Sequence, residues 1–243
     1  MYFPEIQILF YGSCIVALAG IIRGFTGFGN MMIMSPGLSL IFGPVMAIPM
    51  IYIIELPIVT FFLFKLFKKI QWNKIIILAS SSLVFAPLGL YLLQNLDVNI
   101  TKKIIGIVVI MVALLLFFKI KLNIKGKFLA QIIFGSMSGL IGGSTGLGGP
   151  PIVSYFLISN FTADEIRSNI TGTFFIRVSA SIIFTIILGL MSWKIVIIAL
   201  SLIPSYLLFS LIGDYLYKFS NDNRFKKIAL IIFLSFGLII ILN

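Results

Sequence analysis

Ten residues in the middle of the chain, Gly142 to Pro151, read GGSTGLGGPP and lie between the apolar stretches IIFGSMSGLI and IVSYFLI. Five of the ten are glycine and the last two are proline. Glycine opens left-handed and other unusual dihedrals, and proline removes an amide donor, so a helix cannot run through them. Hydrocarbon tolerates such an interruption only where protein or a wet cavity satisfies the freed backbone groups. The stretch therefore predicts a helix that breaks inside a membrane. A new helix is expected to start at Pro150 or Pro151, because a first helical turn has amides to spare.

The device occurs twice. Gly20 to Asn30 reads GIIRGFTGFGN, and Thr26-Gly27-Phe28-Gly29 aligns with Thr145-Gly146-Leu147-Gly148 at a shift of 119 residues. Gly20 then falls on Gly139, and Gly24 on Gly143. Further along, Leu88-Gly89-Leu90-Tyr91-Leu92 matches Ile212-Gly213-Asp214-Tyr215-Leu216 at a shift of 124. At that shift Asn99, Lys102, Lys103 and Ile104 fall on Asn223, Lys226, Lys227 and Ile228. The chain is read as a duplication, with repeats over 1–120 and 128–243 joined by a linker at 121–127. Two interrupted apolar segments at matching places in two halves point to a transporter's binding site. The competing reading is a pair of glycine-lined helix contacts with no ligand.

With 60% hydrophobic residues the chain belongs among polytopic membrane proteins. The net charge of +11 sits in short loops between apolar runs, the pattern of membrane topology and not of nucleic-acid binding. The lone Cys14 excludes an internal disulfide. Histidine is absent, which removes the usual zinc sites, Ser-His and Cys-His dyads and the commonest proton shuttle. Ala17-Leu18-Ala19 resembles a signal-peptide cleavage site. The preceding MYFPEIQ carries Glu5 and no Lys or Arg, and the segment recurs internally, so it is read as mature protein. GGSTGLGG lacks the GK[ST] ending of a phosphate loop, which argues against nucleotide binding.

In order, spanning helices are expected over Val45–Phe64, Ile75–Leu93 and Ile104–Phe118, then from the polar NFTADEIR segment to about Leu190, then over Lys194–Leu216 and Ile228–Leu242. Thr162 and Glu165 have capping-box spacing. Each broken segment either crosses the membrane or turns back as a hairpin. With hairpins, Lys65, Lys68, Lys69, Lys74, Lys119, Lys121, Lys125, Lys127, Arg167, Lys218, Arg224, Lys226 and Lys227 share one face against Lys102, Lys103 and Lys194, thirteen to three. With crossings the same residues divide nine to seven. Basic loops face the cytoplasm. The expected fold is thus an all-α polytopic membrane protein of two inverted repeats, each a broken, re-entrant hairpin plus three transmembrane helices. Both termini lie outside, and the two hairpins meet tip to tip near the midplane.

Helix N-termini present unpaired amides and about half a positive charge, which suits an anion. The restarts at Gly29-Asn30 and Gly148-Gly149, with Gly24, Gly27 and Gly146 beside them, let an oxyanion approach the backbone, and Thr26, Ser144 and Thr145 add hydroxyls. Arg23 and Arg177 lie within apolar segments, where a charge costs about 2.5–3.5 kcal/mol on the translocon scale. Arg177 belongs to a polar stripe with Asn169, Thr173 and Ser181 at helical spacing. Glu55 is the expected counter-ion of Arg177. It either forms a structural pair with it, or orients it over an anion, or carries a coupling proton.

At these motifs the sequence resembles the sulfite exporter TauE/SafE-like family, also called the toluene sulfonate uptake permease family. The resemblance rests on GFTGFG (Gly24 to Gly29), GLIGGSTGLGGPP (Gly139 to Pro151) and the duplicated plan. It implies a multi-pass carrier of sulfite, thiosulfate or organosulfonates in a bacterial-type cytoplasmic membrane. The implied partners are a small anion and the bilayer, with no cofactor and no nucleic acid; proton coupling and homo-oligomerisation stay open. An anion channel, a membrane protein outside transport and a membrane-embedded enzyme are the alternatives. The last lacks any nucleophile–base pair or metal cluster in the sequence.

Overall fold

The computed structural model describes residues 6–97, 99–100, 103, 107, 127–159 and 161–219. Among them the chain is all-helical: α1 (Ile6–Thr26), α2 (Met31–Phe42), α3 (Pro44–Leu66), a 3₁₀ turn (Phe67–Lys69), α4 (Trp72–Asn95), α5 (Phe128–Thr145), α6 (Gly149–Ile158), α7 (Ala163–Ile187) and α8 (Trp193–Tyr217). Six of these helices are long and apolar enough to cross a membrane. The spans expected over Ile104–Phe118 and Ile228–Leu242 lie outside the described residues.

Both breaks fall where the glycines stand, and both reverse the chain. Gly37 of α2 packs on Ile15 of α1, and Phe42 reaches back to Gly12. Likewise Phe134 of α5 faces Tyr155 of α6, ring centroids 6.0 Å apart, and Ser138 Oγ donates to the Gly148 carbonyl at 2.6 Å. Each pair is therefore a hairpin, not one interrupted crossing. A second reversal follows at Gly43, whose φ of +78° is left-handed and which leads straight into Pro44 at the start of α3. It sets Asn30 of α2 opposite Glu55 of α3. Further on, the capping box of Thr162 and Glu165 starts α7, as the spacing implies.

Close backbone approach through glycine joins the halves. On α1, Gly20 and Gly24 lie against α8 at Tyr206, Ser210 and Asp214, and Gly213 of α8 returns the contact at Ile21 and Phe25. On α5, Gly135, Gly139 and Gly143 lie against Leu78, Ser82 and Ala86 of α4, and Gly89 of α4 returns it at Leu140 and Gly143. Such small-residue ridges are how membrane helices come close without a hydrophobic drive. The pairs that repeat in sequence, Gly20 with Gly139 and Gly24 with Gly143, thus do the same work in each half.

The order of these contacts fixes helix direction. Ser13 and Gly24 meet Ser205 and Asp214 in rising order, so α1 and α8 run the same way. Gln131 Nε2 donates to the Lys74 carbonyl at 2.7 Å and Gly143 lies at Ala86, so α4 and α5 also run together. Between α3 and α7, Tyr52 faces Arg177 and Phe62 faces Arg167, an antiparallel pairing. Hence α1, α3 and α8 point one way and α4, α5 and α7 the other. The two hairpins do not meet tip to tip. Ser35 Oγ, a full turn into α2, donates to the Thr145 carbonyl, and Gly146 packs on Ser35 and on Ile48 of α3. The second turn rests on the flank of the first hairpin, against α2 and α3.

Candidate functional site

The turns themselves are nearly identical. After α1 the Gly27 amide donates to the Arg23 carbonyl at 2.8 Å, and after α5 the Gly146 amide donates to the Gly142 carbonyl at 2.8 Å. Both glycines are left-handed, with φ of +80° and +76°, a region costly to other residues. Thr26 Oγ1 donates to the Ile22 carbonyl at 2.7 Å and accepts from the Phe28 amide at 3.1 Å. Thr145 Oγ1 donates to the Ile141 carbonyl at 2.6 Å and accepts from the Leu147 amide at 3.2 Å. These hydroxyls are engaged in closing the turn. Ser144 and Thr173 likewise donate to carbonyls one helical turn back. Gly24 faces α8, and Asn169 Oδ1 accepts from the Gln71 amide at 2.8 Å, at the start of α4. The other expected site residues gather at the molecular centre.

That centre holds two arginines and one carboxylate, all closed off: Arg23 and Glu55 are 0% exposed and Arg177 is 1% exposed. Here the sequence expectation needs correcting. Glu55 pairs with Arg23, whose Nε donates to Oε1 at 2.7 Å, and not with Arg177. The reversal at Gly43 is the physical reason, because it sets residue 55 level with Asn30 and the end of α1. Asn30 Nδ2 donates to Glu55 Oε2 at 2.6 Å and to the Tyr206 hydroxyl at 2.9 Å, and Tyr206 itself donates to Oε2. Arg23 Nη1 donates to the Gly27 carbonyl. The carboxylate is thus satisfied on both oxygens.

Arg177 stands level with Tyr52, about one turn before Glu55 on α3, with its guanidinium carbon 5.9 Å from the ring centroid. It lies in the fork of the second hairpin. A Cβ on Gly142 would come within 2.9 Å of the Gly148 Cα and one on Gly148 within 2.7 Å of the Ser138 carbonyl oxygen, so backbone holds both positions to glycine, with Nη1 beside each. Its Nη2 is aimed at the Met31 sulfur at 3.1 Å, a weak acceptor, and its Nε has no partner. Among the described residues no carboxylate forms an ion pair with it. Arg23 Nη2 and Asn30 Oδ1 are also unpartnered. The Phe174 ring stands between the arginines, 5.6 Å from the guanidinium carbon of Arg23 and 5.5 Å from that of Arg177. Gly149 leaves room for that ring: a Cβ there would be 3.0 Å from its tip.

The two halves fill equivalent places in opposite ways. Position 23 on the first hairpin corresponds to Gly142 on the second, at the shift of 119. The guanidinium absent at Gly142 is supplied from α7 by Arg177, and no acid accompanies it. Two cations then face one carboxylate in a closed interior, and among the described residues Arg177 has no carboxylate of its own. Burying an unpaired charge is expensive, and in membranes such residues mark pathways for ions or substrates. In α6, Pro150 and Pro151 remove two of the early amide donors, and the Arg177 guanidinium adds positive charge beside that helix start.

The model of a family described as Sulfite exporter TauE/SafE matches residues 13–240. The chain belongs to this family. It is accordingly a multi-pass membrane protein of a transporter family for sulfur-containing anions, not of an enzyme class. Searches of curated proteins and of solved structures give no significant match. For a TauE/SafE chain, sequence reasoning missed Phe174, Met31, Tyr52 and Tyr206, whose apolar or amphipathic character reads as packing. Arg167, counted above with the loop residues, also meets Asp214 of α8. The two are buried together, Arg167 Nη2 donating to Asp214 Oδ1 at 2.5 Å. An acid in the otherwise apolar α8 was the available signal, since such an acid needs a cation within the membrane.

Proposed function

We propose that the chain is a secondary carrier of small sulfur oxyanions of the sulfite, thiosulfate or organosulfonate class. The anion binds between the hairpins, on the Arg177 guanidinium, with Arg23, Phe174, Gly148 and Gly149 around it. The observation that carries this reading is the charge count at the centre: a closed arginine with an unpartnered Nε and no carboxylate of its own. A guanidinium offers planar paired donors that match an oxyanion. Glu55, Asn30 and Tyr206 hold Arg23 in place, and Glu55 is the group through which proton coupling would act.

The halves are read as inverted repeats, a proposal supported by the opposed directions of α1 and α5, of α3 and α7, and of α4 and α8. Rocking one half against the other would then expose the central arginines to each face in turn. The lysines at the ends of α3 and α8 and the starts of α4 and α5 mark the cytoplasmic side. This puts the start of α1 outside, in a bacterial-type cytoplasmic membrane.

Uptake of labelled sulfite and thiosulfate into proteoliposomes tests the reading. Saturable uptake and counterflow are expected, and Arg177→Ala should lower both at least about a hundredfold, the scale of losing a charged hydrogen-bonded partner. Non-saturating flux without counterflow would indicate a channel instead. Unchanged affinity in Arg177→Ala would remove the site.

A further inference from the structure

Between the centre and the lysine-rich face lies a second group with the same charge composition, two cations to one carboxylate. Arg167 Nη2 donates to Asp214 Oδ1 at 2.5 Å and to the Gly24 carbonyl at 2.8 Å. Lys65 Nζ holds the other oxygen of Asp214. The Arg167 guanidinium carbon also lies 4.3 Å from the centroid of the Tyr217 ring. These residues come from α7, α8, α3 and α1, so the group ties four helices together at one face. Beneath it, Phe62 is shared by three cations: Arg167 at 5.5 Å, Lys65 at 5.8 Å and Arg23 at 5.7 Å from the ring centroid. Arg23 and Arg177 then share Phe174. Cation and ring alternate without a gap from the face to the centre.

We propose that Arg167 and Lys65 form a second anion station at this face, that the Asp214 carboxylate occupies it as a built-in stand-in, and that an incoming sulfur oxyanion opens the face by displacing Asp214. The proposal rests on the carrier reading above and adds its gate. A carboxylate and an oxyanion compete for the same guanidinium donors, and a monoanionic sulfonate replaces Asp214 charge for charge. Breaking the Arg167–Asp214 contact also releases α8 and α1 from α7, a tie that any opening toward this face has to undo. The Lys65 side chain is 42% exposed, so the station is open to water on that side, and Arg167 hands the anion inward past Phe62.

Cysteine accessibility of the full chain in nanodiscs tests this, on a Cys14→Ser background with a neutral hydrophilic maleimide. Phe62→Cys reports the face, and Ile48→Cys, beside Gly146 beyond the centre, reports general loosening. Asp214→Asn should speed labelling at Phe62→Cys roughly tenfold and leave Ile48→Cys within about twofold, as a shifted two-state equilibrium requires. Lys65→Gln, at an exposed position, should give a smaller rise at the same reporter and serves if Asp214→Asn does not purify. Millimolar isethionate, an inert organosulfonate, should speed Phe62→Cys labelling with Asp214 intact and fail to do so in Arg167→Gln. Unchanged labelling in both clasp variants, or an equal rise at Ile48→Cys, overturns the gate. No response to isethionate in a protein that transports it overturns the anion station. In either case the Arg177→Ala transport result still decides the central site on its own.

Discussion

Arg177 and Arg23 are chemically alike and differ in what surrounds them. Arg23 has Glu55, the Gly27 carbonyl and a network through Asn30 and Tyr206, whereas Arg177 has a thioether and two aromatic rings. The proposed roles rest on that contrast: one arginine is held by a carboxylate and the other is not. It also separates the threonines from the arginines. Thr145→Val removes a donor and an acceptor inside the turn and should lower stability by about 1–3 kcal/mol, read as a lower thermal midpoint in detergent. Thr145→Ser should restore most of it, and anion affinity in both variants should stay within about threefold, since the hydroxyl faces its own backbone. Glu55→Gln should keep counterflow of labelled anion and lose accumulation driven by a pH gradient. Retention of gradient-driven accumulation in that variant would exclude Glu55 as the coupling group.

At the scale of elements, each hairpin is fastened to the crossing helix of the other half by glycines four residues apart. A Cβ at Gly143 would stand 2.6 Å from the Leu90 nitrogen and 2.8 Å from the Gly89 carbonyl carbon, and backbone does not yield. Gly143→Val should therefore cost about 3 kcal/mol or more and give aggregated or expanded protein on size-exclusion chromatography. Gly43→Ala meets nothing within 4 Å and strains only a left-handed φ. With ψ at +151° the position lies in a region almost confined to glycine, so the change should cost about 1–3 kcal/mol and leave the protein monodisperse. The breaks and the contacts are thus different uses of the same residue type: Gly27 and Gly146 turn the chain, while Gly20, Gly24, Gly139 and Gly143 let helices touch.

For the whole molecule, the reversals put the start of α1, Gly43 and the start of α8 at one face, and the end of α3 with the starts of α4, α5 and α7 at the other. Single cysteines at Gly43 and Lys194, on a Cys14→Ser background, should label from the same face, and one at Lys68 from the opposite face. If Gly43→Cys and Lys194→Cys labelled from opposite faces, the broken segments would be crossings and the halves parallel. The distribution of charge follows the same geometry. Two clusters, each with two cations and one carboxylate, lie one behind the other along a line from the lysine-rich face to the centre.

The sequence alone determined the all-helical class, the two breaks, the capping box at Thr162 and the membrane class. These depend on local properties: hydropathy over about 20 residues, the dihedral freedom of glycine and the missing amide of proline. Burial of Arg23, Glu55 and Arg177 was also legible, because a charge in an apolar run has nowhere else to go. Tertiary structure decided the partners. Glu55 meets Arg23 because Gly43 folds α3 back along α2, and Arg167 meets Asp214 because α1 and α7 close on the end of α8. Pairing is set by the register between helices remote in sequence, a non-local quantity on which the spacing within any one helix is silent.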